Sequence, residues 1–211
     1  MQTRIKTPEE ITAMRESGRM LATVLQVLNK KLEVGMTTKD LANIAAQELK
    51  ALGGTPTFLG LYGFPDVLCV SVNDEVVHGI PSAKKVIKKG DIVSMDFGVT
   101  YQGMITDSAI TAIAGTTTNN RAKELVATTE HSLLTGVSML KGGILTGDLG
   151  AAIQEVLDGA RLGIVRDLVG HAVGHELHED PNIPNVGRNG TGVELKAGMT
   201  IAIEPMATLG D

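Results

Sequence analysis

The sequence has 211 residues, of which 43% are hydrophobic and 20% are charged, a balance typical of a folded globular protein. Its formal net charge is -5 and its Lys and Arg residues do not cluster, which argues against nucleic acid or a membrane as a partner held by bulk charge. The single cysteine, Cys69, excludes a disulfide within the chain and is expected to be a buried packing residue in a reducing compartment.

The N-terminal part of the chain predicts two helices followed by strands. The opening residues have charges but no apolar segment behind them, so we expect no signal peptide and a cytoplasmic location. Thr7 to Glu10 has the composition of a helix start with a capping box, and a second helix is predicted from Thr37 roughly to Leu52. Strands are then predicted at 67–72, 75–78, 92–99 and 104–113.

The same order of elements then begins again. Helices are predicted at 120–139 and 146–160, and strand-like segments at 164–169 and 199–205. A single offset relates the two parts, since Leu32 and Gly35 match Leu140 and Gly143 (140 − 32 = 108). The offset also places Asp96 on Glu204. We therefore predict one α+β domain over residues 1–211, built from half-repeats at about 7–113 and 120–211.

Two acidic residues lie on the predicted strands of the first half. A hairpin centred between Tyr101 and Gln102 would place Asp96 directly opposite Asp107, with β-carbons ~4.5–5.5 Å apart. Two carboxylates that close repel each other, so a shared proton, a basic partner or bound cations must offset the repulsion. The alternative is a different register in which Asp107 faces water.

The second half has a dense group of possible ligands. Three histidines, His171, His175 and His178, lie within the segment 170–181 among acids, Gly and Pro. Glu204 ends an apolar strand, where an acid is costly unless it is paired or bound to metal; the alternative is a Glu exposed at a sheet edge. Two Asp, one His and Glu form an oxygen-rich donor set that suits Mn, Fe, Co or Zn in a hydrolytic site with two ions.

Together these segments resemble the type I methionine aminopeptidases. The resemblance covers essentially the whole chain, and the motifs stand in the family's order and at nearly its spacing. It is carried by Asn73 to Pro81, the Asp96 and Asp107 pair, Gly170-His171 with His178-Glu179, and Ile203-Glu204-Pro205.

The resemblance implies the pita-bread fold, with two pseudo-symmetric halves and a curved antiparallel sheet covered by helices. It also implies hydrolytic removal of the initiator Met from nascent chains at the ribosome, favoured when the second residue is small, by a monomeric enzyme with two divalent ions. The ligands implied are Asp96, Asp107, His171 and Glu204, with Asp107 bridging the ions and Glu204 moving the proton of the attacking water. His78 and His178 would position the substrate and stabilise the tetrahedral intermediate.

The same resemblance implies a pocket for the Met side chain, and it also shows departures from the family. The pocket walls would be Phe58, Phe64, Cys69 and Leu177. Ala172 and His175 stand where the family usually has Gly and Arg. The family has a fifth, bridging Glu on a later strand; residue 215, the repeat partner of Asp107, falls past the last residue, Asp211 (107 + 108 = 215). We therefore expect a C-terminally incomplete chain whose second half lacks its last strands.

Two other functions are also compatible with the sequence. The first is an Xaa-Pro peptidase on the same fold, although such enzymes usually have an additional N-terminal domain. The second is a catalytically impaired peptide-binding protein, in which the missing bridging carboxylate abolishes turnover.

Overall fold

A computed structural model describes residues 4–210, which contain four long helices. The bounds of the helices are Pro8–Lys31 (α1), Thr38–Leu52 (α2), Asn120–Ser138 (α3) and Thr146–Gly159 (α4). The capping box of α2 is present: the Thr37 hydroxyl accepts from the backbone of Asp40, and the Asp40 carboxylate accepts from the backbone of Thr37. Left-handed Gly53 then ends α2 (φ 83°). Within the described residues, no helix is both long enough and apolar enough to cross a membrane.

The strands are antiparallel and lie in three separate sheets. The first sheet contains β1 (Thr55–Pro56), β2 (Cys69–Val72), β3 (Ile92–Tyr101) and β4 (Met104–Ile113), with β1, β2 and β4 all paired to β3. The second pairs β5 (Gly163–Ile164) with β9 (Ala207–Thr208). The third has the order β7 (Glu179–Ile183), β6 (Gly170–Ala172) and β8 (Ile201–Ala202). Helices and antiparallel strands thus confirm the predicted α+β class.

The described residues form two compact units, each with its own hydrophobic core. The first-half unit comprises Pro8–Asn119 and Gly174–Leu177, and its core packs α1 and α2 against β2 and β3. The second-half unit comprises residues 4–7, 120–173 and 178–210, and its core lies between α4 and the strand β7. Each unit thus packs helices against antiparallel strands, which is how amphipathic elements bury their apolar faces.

The internal repeat extends to individual hydrogen bonds. The isolated β-bridge between Thr37 and Val86 has its counterpart between Leu145 and Glu194, at the offset of 108 (145 − 37 and 194 − 86). The amide of Ile87 donates to Met36 O and that of Leu195 donates to Ile144 O, both at 2.8 Å. In each half a loop therefore closes over the helix start in the same way. The repeat is structural, although few residues of the two halves are identical.

Several predicted strands differ from the observed ones. β4 has the predicted bounds, but the segment 75–78 is a loop. Of the predicted strand at 164–169 only Ile164 lies in a strand (β5), because residues 165–169, which include exposed Arg166 and Asp167, are irregular and β6 begins at Gly170. The predicted strand at 199–205 is reduced to β8. The loop at 75–78 has a local cause: His78 has a left-handed backbone (φ 58°), which a strand cannot accommodate.

Candidate metal centre and substrate pocket

Asp96 and Asp107 lie on the same face of the first-half sheet, but not in the predicted register. The hairpin turns at Gln102 and Gly103, so Tyr101 pairs with Met104 and Asp107 pairs with Gly98 instead of Asp96. Both turn residues have positive φ (50° and 77°), the conformation that two-residue hairpin turns favour. The expectation of directly opposed carboxylates is therefore wrong by two residues.

A shift of two residues nevertheless keeps both acids on one face, because side chains alternate between faces with a period of two. Asp96 and Asp107 become diagonal neighbours, about 7–8 Å apart at the backbone, which long or charged side chains can still span. Both carboxylates are half-buried. The first-half unit therefore presents two partly desolvated acids side by side, the donor arrangement that favours a divalent cation.

The pKa of Cys69 is affected by the negative charge on this face of the sheet. It is directly paired with Asp96 across β2 and β3. Burial raises the pKa of the Cys69 thiol well above its usual range, and the negative charges of Asp96 and Asp107 raise it further. The sulfur is therefore held as the neutral thiol and packs as an apolar group, as predicted.

This environment predicts a slow thiol. In the native protein at pH 8, we expect Cys69 to react with a thiol-specific disulfide reagent at least about a hundredfold more slowly than in the guanidinium-unfolded chain, since only the thiolate is nucleophilic. Absorbance of the released thiolate measures both rates. Equal rates in the two states would contradict the burial and the negative field.

The second-half unit brings His171 and Glu204 together. His171 Nε2 lies 3.1 Å from Glu204 Oε1, and the imidazole is buried. The other ring nitrogen, Nδ1, lies 3.0 Å from the carbonyl oxygen of Ala172. Because a carbonyl only accepts, we assign the proton to Nδ1, so that in the neutral ring the Nε2 lone pair faces a carboxylate oxygen. Two acceptors facing each other repel. A cation bound between them, or a second proton on the ring, would remove this repulsion, so the pair also fits a metal ion.

The other histidines occupy distinct surroundings. His178 is exposed, and its ring meets that of His171 edge to face with centroids 4.5 Å apart. His175 instead belongs to the first-half unit, where its Nε2 lies 2.7 Å from Glu10 Oε1 on α1. His78 is exposed in the loop after β2. The side chain at position 175, where the family usually has Arg, thus contacts an acid on α1.

The predicted pocket residues form one apolar cluster in the first-half unit. Phe58, Cys69 and Leu177 are its buried members, and Phe64 packs against them half-buried, together with Leu61 and Ile105. The cluster lies next to the acids: Cys69 pairs with Asp96, and a β-carbon added at Gly98 would come within 2.6 Å of the Phe58 ring. An apolar cluster beside two carboxylates suits a substrate with an apolar side chain near its reacting bond.

Two supporting contacts in the second-half unit were not predicted. The side-chain amide of Asn185, which is buried, donates to the backbone carbonyl of Glu204 at 2.7 Å. Lys6 and Glu179 form a buried ion pair at 2.5 Å, next in sequence to His178. A lone Asn or Lys has no periodicity or motif that marks such a contact, so the sequence contains no signal for either.

The chain is similar to known metallopeptidases over almost its whole length. The sequence model of metallopeptidase family M24 matches residues 12–210. The methionine aminopeptidase of Clostridium perfringens is 41% identical over 206 residues, covering 98% of this chain and 82% of that protein. Methionine aminopeptidase 1 of Bacillus subtilis is 43% identical over 205 residues, covering 97% of this chain and 82% of that protein. The chain therefore belongs to metallopeptidase family M24, and its cofactors are divalent metal ions.

Solved structures support the same fold. The methionine aminopeptidase of Thermotoga maritima matches with a TM-score of 0.97 and 47% identity, covering 100% of this chain and 84% of that one. The prolidase of Pyrococcus furiosus matches with a TM-score of 0.83 over 98% of this chain and 58% of that one. At 24% identity the latter shows a shared fold alone. The predicted pita-bread fold and the resemblance to methionine aminopeptidases are confirmed.

Proposed function

We propose that the chain is a methionyl aminopeptidase, which hydrolyses the first peptide bond of polypeptides that begin with Met when the second residue is small. The observation that carries this function is the apolar cluster of Phe58, Cys69 and Leu177 beside Asp96 and Asp107, because it places apolar side chains next to carboxylates that suit a metal ion. Relatives of this name at 41–47% identity over almost the whole chain support the same substrate.

Four residues are assigned to the metal ions: Asp96 and Asp107 from the first-half unit, and His171 and Glu204 from the second. Asp107 would be the ligand common to both ions. When bound, the ions supply Lewis-acid activation of water and of the scissile carbonyl. Cobalt, manganese, iron and zinc all suit this mixture of carboxylates and one imidazole.

The remaining chemistry belongs to the side chains. Glu204 accepts the proton of the attacking water and returns it to the leaving amine. His78 and His178 donate hydrogen bonds that position the peptide and stabilise the oxygen that gains charge as the carbonyl is attacked. Phe58, Phe64, Cys69 and Leu177 enclose the Met side chain and exclude water from it. The enzyme acts as a cytoplasmic monomer on nascent chains at the ribosome.

The test measures hydrolysis of several peptides by the purified protein, loaded in turn with Mn, Co, Fe and Zn. We expect release of Met from Met-Ala-Ser, at least about a hundredfold slower release from Leu-Ala-Ser, and no cleavage of Ala-Pro. Faster cleavage of Ala-Pro than of Met-Ala-Ser would favour the Xaa-Pro peptidase instead. Binding of Met-Ala-Ser without turnover under every metal would favour the impaired peptide-binding alternative.

A further inference from the structure

His78 has a backbone conformation that side chains with a β-carbon rarely adopt. Its φ is 58°, in the left-handed region, and the residue is exposed on the loop that follows β2. A residue other than Gly is strained in this region and keeps the conformation only when its surroundings enforce it. The contacts that enforce it therefore decide where the imidazole points.

The strongest of these contacts are on the next residue, Gly79. Its carbonyl accepts from the amide of Val70 at 2.8 Å, and its own amide donates to the hydroxyl of Ser71 at 3.0 Å. A β-carbon at Gly79 would overlap the Val70 carbonyl, so the loop here lies directly against β2. Ser71 is buried, only 4% exposed, and its hydroxyl is placed where water has little access.

The other end of the loop has its own attachment. Glu75 Oε2 accepts from the amide of Val72 at 2.9 Å, and Oε1 pairs with Lys85. Burial raises the pKa of Glu75, but the hydrogen bonds from Lys85 and Val72 outweigh it, so the pKa lies below its usual value. The loop between Val72 and Gly79 is thus anchored at both ends, and the anchor nearest His78 is the Ser71 hydroxyl.

We propose that Ser71 is a positioning residue: its buried hydroxyl holds the Gly79 amide and thereby fixes His78 in the left-handed conformation that aims its ring at the substrate. The inference rests on the proposed function only for the role of His78 on the peptide. The hydrogen bond itself, and the conformation it enforces, are properties of the first-half unit alone.

The experiment uses Ser71→Ala with a matched control. Ser94 is the residue directly opposite Ser71 on β3, and its hydroxyl bonds Thr111 instead of the loop. For Met-Ala-Ser hydrolysis we expect Ser71→Ala to lower kcat about tenfold to a hundredfold with KM within about threefold, because a small misplacement of a reacting group costs that much. Ser94→Ala should remain within about twofold of the parent, and Ser71→Thr, which keeps the hydroxyl, should recover most of kcat.

A double-mutant cycle separates positioning from general damage. If Ser71 acts through His78, adding Ser71→Ala to His78→Ala should cost no more than about twofold beyond His78→Ala alone. Additive losses, or an equal loss in Ser94→Ala, would overturn the proposal.

A second measurement does not depend on activity. Hydrogen exchange at the Gly79 amide, followed by NMR, should be at least about tenfold faster in Ser71→Ala than in the parent and unchanged in Ser94→Ala. Unchanged exchange in Ser71→Ala would overturn the positioning role even if the enzyme is active. A different pair of results would separate the two proposals. If the parent does not hydrolyse Met-Ala-Ser but Gly79 exchanges faster in Ser71→Ala, the proposed function is contradicted and the hydrogen bond from Gly79 to Ser71 is still established.

Discussion

Asp107→Asn is expected to lower kcat/KM for Met-Ala-Ser by about a thousandfold or more. The carboxylate is half-buried on the same face of the sheet as Asp96, and we assign it to both metal ions. An amide of the same size keeps the shape but removes the charge that holds the cations, and metal activation of a hydrolysis contributes several kcal/mol at ~1.4 kcal/mol per tenfold in rate. Initial rates at saturating Mn, with metal content measured on the same sample, provide the comparison.

Asp167→Asn is the matched control, because it makes the same chemical change at an exposed site in the second-half unit. It should leave both activity and metal content within about twofold of the parent. Asp107→Asn should also leave the fold intact, since removing one of two neighbouring carboxylates relieves repulsion in the metal-free protein. A variant that retains both activity and the parent's metal content would exclude Asp107 from the ligand set.

Local sequence signals predicted the helices and the repeat well. Pro8 and Asp40 act within one turn of the chain, so the starts of α1 and α2 could be placed without knowing what packs on them. The repeat was detectable from a few identities such as Leu32 with Leu140, because each half needs the same Gly and Thr where its loop closes over a helix start. These features depend on neighbours in sequence.

The misplaced features depend on backbone dihedral angles instead. Gln102 takes a positive φ in the hairpin turn, which moved the register of Asp107 by two residues. His78 does the same in the segment 75–78 that was predicted as a strand, where Val76 and Val77 have strong strand preference. Such residues tolerate left-handed φ only when tertiary contacts repay it, and apolar periodicity contains no information about those contacts.

Long-range polar contacts were beyond sequence reasoning for a different reason. Ser71 and Asn185 each bond a single backbone group on another segment, at Gly79 and Glu204. Ser and Asn are common surface residues, and only the fold shows that these two are buried. Acids inside apolar strands are conspicuous in a sequence, so ligand candidates could be proposed from it. A buried Ser or Asn that bonds a distant backbone group is not conspicuous.

Gly98→Ala is expected to damage recognition of Met more than it damages the fold. The new β-carbon would lie 2.6 Å from Phe58 Cε1 and 3.0 Å from Thr57 Cβ, so the Phe58 ring must move. We expect the ring to move into the recess that we assign to the Met side chain, between Cys69 and Leu177. A change of about one methylene in the space open to an apolar side chain changes transition-state binding by about 1–3 kcal/mol, so we expect roughly a tenfold to hundredfold loss of kcat/KM on Met-Ala-Ser.

The matched control is Gly142→Ala, where an added β-carbon meets nothing within 4 Å. It should leave kcat/KM and the thermal midpoint close to those of the parent.

A smaller N-terminal side chain needs less of the recess, so Gly98→Ala should lose several-fold less on norvaline-Ala-Ser than on Met-Ala-Ser. Adding Phe58→Leu should then restore part of the Met activity, because the shorter side chain gives back the space. Equal losses on both peptides, with no recovery in the double variant, would place the Met side chain elsewhere. Recovery would show that selection of Met depends on the position of the Phe58 ring, which packs against β3 only because residue 98 has no β-carbon.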